Sequence, residues 1–409
     1  MSNTLCKRRV FAESTTGRIH PMSVRGKLPD GIIAKYALPT VLAIATLISR
    51  ILCRGDLYFA DGLVHIRAIT DQTYIIQPPG YWLFNRFIGL FAGDPVRNIS
   101  VLNILFSVAA VVVFYYLALF FTGQRNAFLA SLAYSSIFYL WFSGEVHSTY
   151  ASQALFPIAF FLTSLHYERK QANWKLVLAA ILFAVGAGFR PSDGAFLLPL
   201  IGFYAIARLP RIKAILFLSC ALLLCLGWII PTELAYSRYY AGFDGVISYL
   251  RMITSVKSVT KGVNSTSIAN MVRYFLPMIT AFLFVLHPIA SNLIRNWKDW
   301  RVRAMLVWIL PGSLFFIFIC IYDAPYLNLL TAPFLLLAVS APRRMMTTAL
   351  WNSLLFLSLA PIPSTRLAVN IWNCDVVKFS LYGIRHQWWP NLSDVQKGIS
   401  QSSPLCQHE

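Results

Sequence analysis

Acidic residues are scarce in this chain. There are 16 Asp and Glu residues in 409, against 35 Lys and Arg. All charged residues together make up 12% of the chain, whereas an ordinary soluble domain has about 25%. Apolar residues reach 57%, and they occur in blocks of about 16 to 24 residues, the length that crosses a hydrocarbon core of roughly 30 Å. The composition excludes an ordinary soluble domain and predicts an all-α integral membrane protein.

Cysteine pairs with the spacing of a metal site are also missing. The seven cysteines include no Cys-x-x-Cys, and Cys220, Cys225 and Cys320 lie within apolar blocks, where cysteine packs as a small hydrophobe. A disulfide between Cys374 and Cys406 remains an alternative. Residues 1–31 lack the pattern of a signal peptide, because their polar stretch is too long and no cleavage site follows the next apolar block. We expect them to form a basic cytoplasmic tail.

The net charge of +19 raises the question of nucleic-acid binding, but the placement of the charge argues against it. Lysine and arginine sit in short connectors between apolar blocks, as the positive-inside rule requires. The rule places the N-terminus inside. It predicts about 11 transmembrane helices in a membrane domain over 32–362, followed by an extracytoplasmic tail over 363–409. The predicted spans are 32–52, 99–122, 126–143, 150–166, 174–189, 194–207, 214–231, 273–293, 304–322, 325–341 and 346–362.

The first outer loop, residues 53–98, has features of ordered structure. Pro78-Pro79-Gly80 punctuates it. After this turn, apolar and aromatic residues from Tyr81 to Phe91 recur at a spacing of three to four, with Asn85 and Arg86 between them. This spacing predicts an amphipathic helix that lies in the membrane interface, where aromatic side chains are favoured.

The polar residues with chemical potential all fall on the predicted outer side, at the ends of alternate spans. Carboxylates kept near hydrocarbon are costly, so they usually have a partner or a function. A pocket built from these ends could bind a lipid phosphate through arginine and activate a hydroxyl through a carboxylate. The residues are Asp56, Asp61, His65 and Arg67, then Glu145 and His147, Arg190 and Asp193, Glu233, Arg238 and Asp244, and finally Asp323 and Tyr326.

Each candidate also has an ordinary structural explanation. Asp61 could cap a helix that starts at Asp61-Gly62, and Glu145 could cap or pair at a helix end. Asp56 could lie in a solvated turn, and Arg190 could contact lipid headgroups. His65 and His147 could have purely structural roles. Asp61, His65 and Glu145 could in principle ligate a divalent metal ion, although their spacing is only a weak signal.

Four motifs, in this order, resemble the GT-C superfamily of membrane glycosyltransferases, of the protein O-mannosyltransferase and lipid A aminoarabinose transferase type. The resemblance is clear over about 53–210 and faint afterwards, and it rests on the order of the motifs rather than on any one of them. Three positions depart from the pattern: Gly62, where relatives often have Glu, His147 in place of Tyr, and Asp323-Ala324 in place of a basic residue. The motifs are Asp61-Gly62 with Gln77-Pro-Pro-Gly-Tyr81, Arg97-Asn-Ile-Ser-Val-Leu-Asn103, Trp141-Phe-Ser-Gly-Glu145-Val-His147, and Tyr322-Asp-Ala-Pro-Tyr326.

The resemblance implies a GT-C fold and a reaction. A sugar carried on a polyprenyl phosphate would pass to an acceptor hydroxyl at the extracytoplasmic face, with inversion at the anomeric carbon. Asp61 would be the general base and Glu145 would assist it, while Arg190 or Arg67 would neutralise the leaving phosphate. No cofactor is certain, and the partners would be the lipid-linked donor and membrane lipids, in a bacterial plasma membrane rather than the endoplasmic reticulum. The substrate-binding residues would be Asp56, His65, Arg67, Tyr81, His147, Arg190 and Tyr326.

Two other functions remain open on the sequence. A lipid or solute transporter would place polar residues near the middle of the bilayer, often in broken helices and inverted repeats. The sequence shows no repeat, and its polar residues lie at helix ends, which disfavours transport. A non-catalytic scaffold of GT-C shape is favoured by Gly62 and Asp323.

Overall fold

The structure, a computed structural model, describes residues 36–52, 59–76, 80–144, 147–239, 265–319 and 324–341, with the single positions 247 and 251. The predicted tails 1–31 and 363–409, the predicted span 346–362, Asp56, Glu145, Asp244, Asp323 and the cysteines of the tail lie outside these residues. The side chain of Asp61 also lies outside the description, although its backbone is part of a helix. The division of the chain into a membrane domain and two tails therefore stays a prediction.

The described residues form α-helices joined by short turns, and they include no strand, which confirms the all-α class. Long apolar segments without Gly-rich or alternating patterns favour helices, because a helix satisfies its own backbone hydrogen bonds in an apolar medium. Two 3₁₀ turns, Leu283–Val285 and Ala324–Leu327, interrupt the series. The helices are α1 (Leu38–Leu52), α2 (Phe59–Thr70), α3 (Trp82–Ile88), α4 (Pro95–Ala118), α5 (Gln124–Ser136), α6 (Phe138–Ser143), α7 (Tyr150–Lys170), α8 (Asn173–Phe189), α9 (Pro191–Arg208), α10 (Arg211–Tyr239), α11 (Ser265–Phe282), α12 (Leu286–Asn296), α13 (Trp300–Phe318) and α14 (Asn328–Val339).

Three described helices are long and apolar enough to cross a membrane: Pro95–Ala118, Arg211–Arg238 and Trp300–Phe318. Shorter apolar helices occur at Leu38–Ile51, Asn173–Phe189 and Pro325–Val339. The apolar helices support a membrane protein, but the predicted number of about 11 spans is not confirmed.

Several helices differ in their bounds from the predicted spans. The span predicted at 126–143 is divided at Ile137, whose ψ of 122° ends α5 before α6 begins. The span predicted at 273–293 is likewise divided by the turn Leu283–Val285. In the opposite sense, α10 continues through Pro231 to Tyr239, although the sequence predicted that an outer loop begins at 232. Proline costs an internal helix one hydrogen bond, and tertiary contacts can offset that loss.

The first outer loop contains two short helices, α2 and α3. The predicted interfacial helix is present as α3, but it has 7 residues and does not use its aromatic face to contact lipid. Phe84 and Ile88 are buried, and the ring of Phe84 packs edge-on against Phe189 at the end of α8, with 5.7 Å between centroids. Burial of an apolar side chain in protein removes it from water as well as lipid would. The helix is therefore part of the protein core, while Leu90 and Phe91 after it are exposed.

Consecutive helices α7, α8 and α9 run back and forth and determine where the polar residues lie. α7 ends at Arg169 and Lys170, α8 begins close to Lys175, and α9 ends at Arg208. The opposite ends of the same three helices are Tyr150, Phe189 and Pro191. Basic connectors and the candidate site residues therefore lie at opposite ends of these helices, as the sequence predicted.

Candidate active site

Arg190 is the central residue of the candidate site. It lies at the junction of α8 and α9, directly before Pro191, and its extended backbone ends one helix and begins the next. Proline at the first position of a helix disfavours helical conformation in the residue before it, which explains the sharp turn at this position. The turn directs the Arg190 side chain inward, where it is 2% exposed.

Three tyrosine rings surround the guanidinium of Arg190. Its Cζ lies 4.3 Å from the centroid of the Tyr150 ring, 4.8 Å from that of Tyr326 and 5.8 Å from that of Tyr81. These residues come from the start of α7, the 3₁₀ turn before α14 and the residue before α3. Cation–π attraction is strongest where water is excluded, so this box of rings, which we call the Arg190 box, fixes the position of the buried charge.

Polar contacts complete the surroundings of Arg190. Its Nη1 donates to Thr149 Oγ1 at 2.8 Å, and its Nε lies 3.5 Å from Oδ1 of Asp193 in a buried ion pair. The same Asp193 oxygen accepts from Gln153 Nε2 at 2.6 Å. A buried arginine needs such a partner, because an isolated charge would be costly to remove from water.

Three buried polar atoms around this box have no hydrogen-bond partner among the described residues: Arg190 Nε, Gln153 Oε1 and Asn328 Oδ1. Asn328 belongs to the box because its Nδ2 donates to the carbonyl of Tyr150 at 3.1 Å. Buried polar atoms are nearly always paired in proteins, and exceptions often mark the place of a ligand or a water molecule. The box therefore offers one donor and two acceptors to a bound molecule.

His65 lies beside the box but is held neutral. It is buried, its Nδ1 lies 2.7 Å from Asn85 Oδ1, and its ring meets the ring of Tyr81 edge-on at 5.3 Å. Burial lowers the pKa of His65 to about 4, partly offset by the bond to Asn85, and the positive charge of Arg190 lowers it further. α2 is not among the helices apolar enough to span a membrane. A neutral imidazole at this position can accept or donate one hydrogen bond, but it adds no charge.

His147 has a structural contact with α4. It is buried, and its Nε2 lies 2.7 Å from Ser100 Oγ. The next residue, Ser148, accepts a hydrogen bond from Asn103 Nδ2 at 2.8 Å through its carbonyl. These bonds anchor the segment before α7, and Thr149 on this segment then accepts from Arg190. His147 is therefore placed to support the site through its backbone neighbours.

The structure brings together four of the predicted binding residues, His65, Tyr81, Arg190 and Tyr326, and separates one. Arg67 is exposed and pairs with Asp71 at 3.5 Å, so it is not part of the Arg190 box, because a shift of two residues turns a helical side chain to another face. The predicted neutralisation of a phosphate by Arg67 is unsupported by this geometry.

Asp61 lies within α2 rather than directly before it, so a role as helix cap at a start by Gly62 is wrong for the described helix. It precedes His65 by four residues, which places the two backbone positions on one face of α2. No cluster of three or more His, Cys, Asp or Glu that could hold a metal occurs among the described side chains. The alternative metal set of Asp61, His65 and Glu145 extends beyond those side chains and is untested.

Sequence reasoning missed Thr149, Tyr150, Gln153 and Asn328 as parts of the site. Gln153 and Asn328 had a usable signal, since each is an uncharged polar residue inside an otherwise apolar segment, and such residues tend to be buried with partners. Tyr150 had none, because an aromatic residue at a span end is ordinary in membrane proteins.

With this geometry in place, comparison with known proteins is informative. A solved structure of the Archaeoglobus fulgidus oligosaccharyltransferase in the apo form resembles the chain with a TM-score of 0.50 and 14% identity, over 90% of this chain and 58% of that one. This chain thus spans less than two thirds of that protein's length. No curated protein sequence matches. The likeness assigns the chain to the class of helical membrane proteins with the GT-C fold.

A second comparison narrows the class to a family. The family model described as dolichyl-phosphate-mannose-protein mannosyltransferase matches residues 77–233. The match begins four residues before Tyr81, ends within α10 and includes Tyr150 and Arg190. The resemblance to GT-C glycosyltransferases of the mannosyltransferase type is confirmed.

Proposed function

We propose that the protein transfers a sugar from a polyprenyl-phosphate donor to an acceptor hydroxyl at the extracytoplasmic face of the membrane. The observation that carries the proposal is the buried Arg190, held in place by Tyr81, Tyr150 and Tyr326. An arginine that is fixed before the reaction can stabilise a leaving phosphate without reorganising in the transition state. The match to lipid-phosphate-dependent mannosyltransferases over this same region adds support.

The proposed reaction is a single displacement. Asp61 takes the proton from the acceptor hydroxyl, and the oxygen forms a bond to the anomeric carbon as the bond from that carbon to the phosphate oxygen breaks. The electron pair of the broken bond stays on the lipid phosphate, whose charge Arg190 compensates. Glu145 orients the acceptor, and direct attack inverts the anomeric centre. General-base catalysis of this kind contributes roughly 10²- to 10⁴-fold to a rate.

The surrounding residues would shape the donor site. Tyr81 and Tyr326 cover Arg190 from two sides and would pack on the sugar–phosphate, with His65 beside Tyr81 as a neutral hydrogen-bonding group. Asp56 would lie on the approach to the site. We further propose that the N-terminus is cytoplasmic and that the host membrane is a bacterial plasma membrane, since the motifs are closest to bacterial-type members.

The test is a transfer assay with the purified full chain and a panel of polyprenyl-phosphate sugars. We expect transfer from one of them, and we expect Asp61→Asn to lower the turnover at least about 100-fold without loss of folding. Asp71→Asn is the matched control, because Asp71 is an exposed carboxylate ten residues further on that pairs with Arg67.

Two outcomes would overturn the proposal at different levels. Transfer at the wild-type rate by Asp61→Asn would remove Asp61 as the general base. Absence of transfer from every donor in the panel, by protein that is folded and inserted in a membrane, would remove the proposed reaction itself.

A further inference from the structure

The end of the molecule opposite the Arg190 box has a second concentration of positive charge. It is built from the start of α5, the end of α7, the start of α8, the end of α9, the start of α10 and the start of α13 with the residues before it. We call this surface the basic end. Its cationic residues are Arg125, Arg169, Lys170, Lys175, Arg208, Arg211, Lys213, Lys298, Arg301 and Arg303.

Side-chain contacts show that these residues share one surface. Arg208 Nε donates to Glu168 at 2.8 Å and its guanidinium covers the ring of Trp300 at 4.6 Å. Lys213 donates to the hydroxyl of Tyr167 at 2.9 Å. Helices α7, α9, α10 and α13 therefore meet at the basic end through side chains that carry positive charge.

Acidic residues cannot balance this charge. The two acids described at this end are Glu168, which pairs with Arg208, and Asp299, which accepts a hydrogen bond from the backbone of Arg301 as the cap of α13. Each is already engaged, and the cations exceed them about fivefold. A surface of one sign that remains uncompensated attracts a partner of the other sign.

Within the basic end, Arg169 and Arg301 form a close pair over two consecutive aromatic rings. Cζ of Arg169 lies 3.9 Å from the centroid of Phe120, and Cζ of Arg301 lies 5.9 Å from that of Phe121. Partial burial lowers the pKa of Arg169, and the nearby charge of Arg301 lowers it further. Two guanidinium groups held near each other against repulsion provide the forked donors that bind a phosphate.

Exposed apolar side chains border the same surface. Trp174 and Trp297 are 62% and 58% exposed, and Ile206, Ile212 and Ile294 are each more than 70% exposed. Tryptophan at such a border is typical of the headgroup region of a bilayer, where its ring is apolar and its N–H is polar. Arginines beside exposed tryptophan and isoleucine match a ligand with a phosphate and acyl chains, whereas a soluble phosphate would gain nothing from the apolar rim.

We propose that the basic end binds the headgroup of an anionic phospholipid, with the phosphodiester between Arg169 and Arg301. The site is separate from the Arg190 box, since α7, α8 and α9 lie between the two. Binding would join α7, α13 and the segment that follows α4 at this end. A phospholipid that binds the folded state alone stabilises it in proportion to the logarithm of its concentration.

The experiment uses the full chain in neutral detergent with phosphatidylcholine, titrated with phosphatidylglycerol, and follows thermal unfolding. We expect phosphatidylglycerol to raise Tm. We expect the double variant Arg169→Gln/Arg301→Gln to need roughly tenfold more of it for the same shift, because each arginine at an anionic lipid surface contributes appreciably to binding. Arg97→Gln is the matched control, an exposed arginine at the opposite end of α4, and it should respond like the parent protein.

The remaining arms decide the outcome in every case. An equal response of the double variant and the parent protein overturns the proposal, and so does a Tm shift of equal size with inorganic phosphate or glycerol phosphate. If the double variant does not fold, native mass spectrometry of the parent protein replaces it. Retention of phosphatidylglycerol over phosphatidylcholine, reduced in the single variant Arg301→Gln, then supports the site, and equal retention of both lipids removes it.

Discussion

Arg190 and Asp193 form a buried pair in which structural and chemical roles can be separated by mutation. Removing one partner of a buried pair leaves the other charge without compensation, at a cost of about 3–5 kcal/mol. We expect Arg190→Gln to lower Tm strongly and to abolish sugar transfer. The double variant Arg190→Gln/Asp193→Asn should regain much of the stability, because both charges are gone, and should still fail to transfer sugar. Thermal unfolding and the transfer assay on the same preparations check both expectations.

The contrary outcome at this pair is equally clear. If the double variant regains transfer together with stability, Arg190 acts only through the fold. The leaving phosphate would then need another cation.

His65 makes the stability of the protein depend on pH. Its pKa is lowered to about 4 in the folded state, chiefly by burial, whereas an unfolded histidine titrates near 6.5. The unfolded chain therefore binds the extra proton between these values, and the folded state loses stability as the pH falls through that window, by about 2 kcal/mol at pH 5. We expect His65→Gln to lose less Tm than the parent protein between pH 7.5 and pH 5, with equal losses counting against a neutral buried imidazole.

At the scale of helices, Gly188 permits α8 to approach both α3 and α10. A Cβ at this position would lie 2.5 Å from Leu83 and 2.7 Å from Trp228. We expect Gly188→Ala to destabilise the protein by about 1–3 kcal/mol, the usual cost of overpacking. Gly202, within α9, is the matched control because a Cβ added there would have no neighbour within 4 Å. Gly202→Ala should be neutral or stabilise by up to about 1 kcal/mol, since alanine favours helix.

A second element-scale contact positions Tyr81 over Arg190. The hydroxyl of Tyr236, on the final turns of α10, donates to the carbonyl of Ile76 at 2.7 Å. Gly80 has a φ of +107° and packs so closely that a Cβ would lie 2.8 Å from Thr232. The continuation of α10 beyond Pro231 therefore braces the turn before α3.

This brace predicts a kinetic effect without direct contact with substrate. Tyr236→Phe removes one hydrogen bond and keeps the ring, so we expect a stability loss of about 1 kcal/mol. We also expect a KM for the donor raised more than kcat is lowered, because Tyr81 would be less firmly placed. Tyr36→Phe, at an exposed tyrosine before α1, is the control. Unchanged KM in Tyr236→Phe would assign the bond to folding alone.

At the scale of the whole molecule, the Arg190 box and the basic end should lie on opposite sides of the membrane. α4 has 24 residues and a length of about 36 Å, enough to separate its two ends by a bilayer core. We expect a membrane-impermeant maleimide to label Ala92→Cys in intact cells and Gln124→Cys only after permeabilisation, both measured above the labelling of the parent protein. Both positions are exposed, and the reverse pattern would place the proposed site on the cytoplasmic side.

The sequence predicted the helical class and the position of most helices, because long apolar blocks leave the backbone little choice but to bond internally. It also predicted four members of the central cluster, His65, Tyr81, Arg190 and Tyr326, from the rule that polar residues at alternate helix ends share a side. It failed where a local pattern had no preferred outcome. Ile137 breaks a helix without proline or glycine, Pro231 does not break one, and Arg67 faces away from the cluster although it is two residues from His65.

The sequence by itself determined that this chain is a helical membrane protein with its basic connectors and its candidate site residues at opposite helix ends, because hydrophobicity and charge placement are local properties. Only the tertiary structure decided which of those residues meet. The three tyrosines around Arg190 come from positions 81, 150 and 326, and their convergence depends on how α3, α7, α9 and α14 pack. Packing of this kind is set by the shapes of buried side chains acting together, which no single stretch of sequence contains.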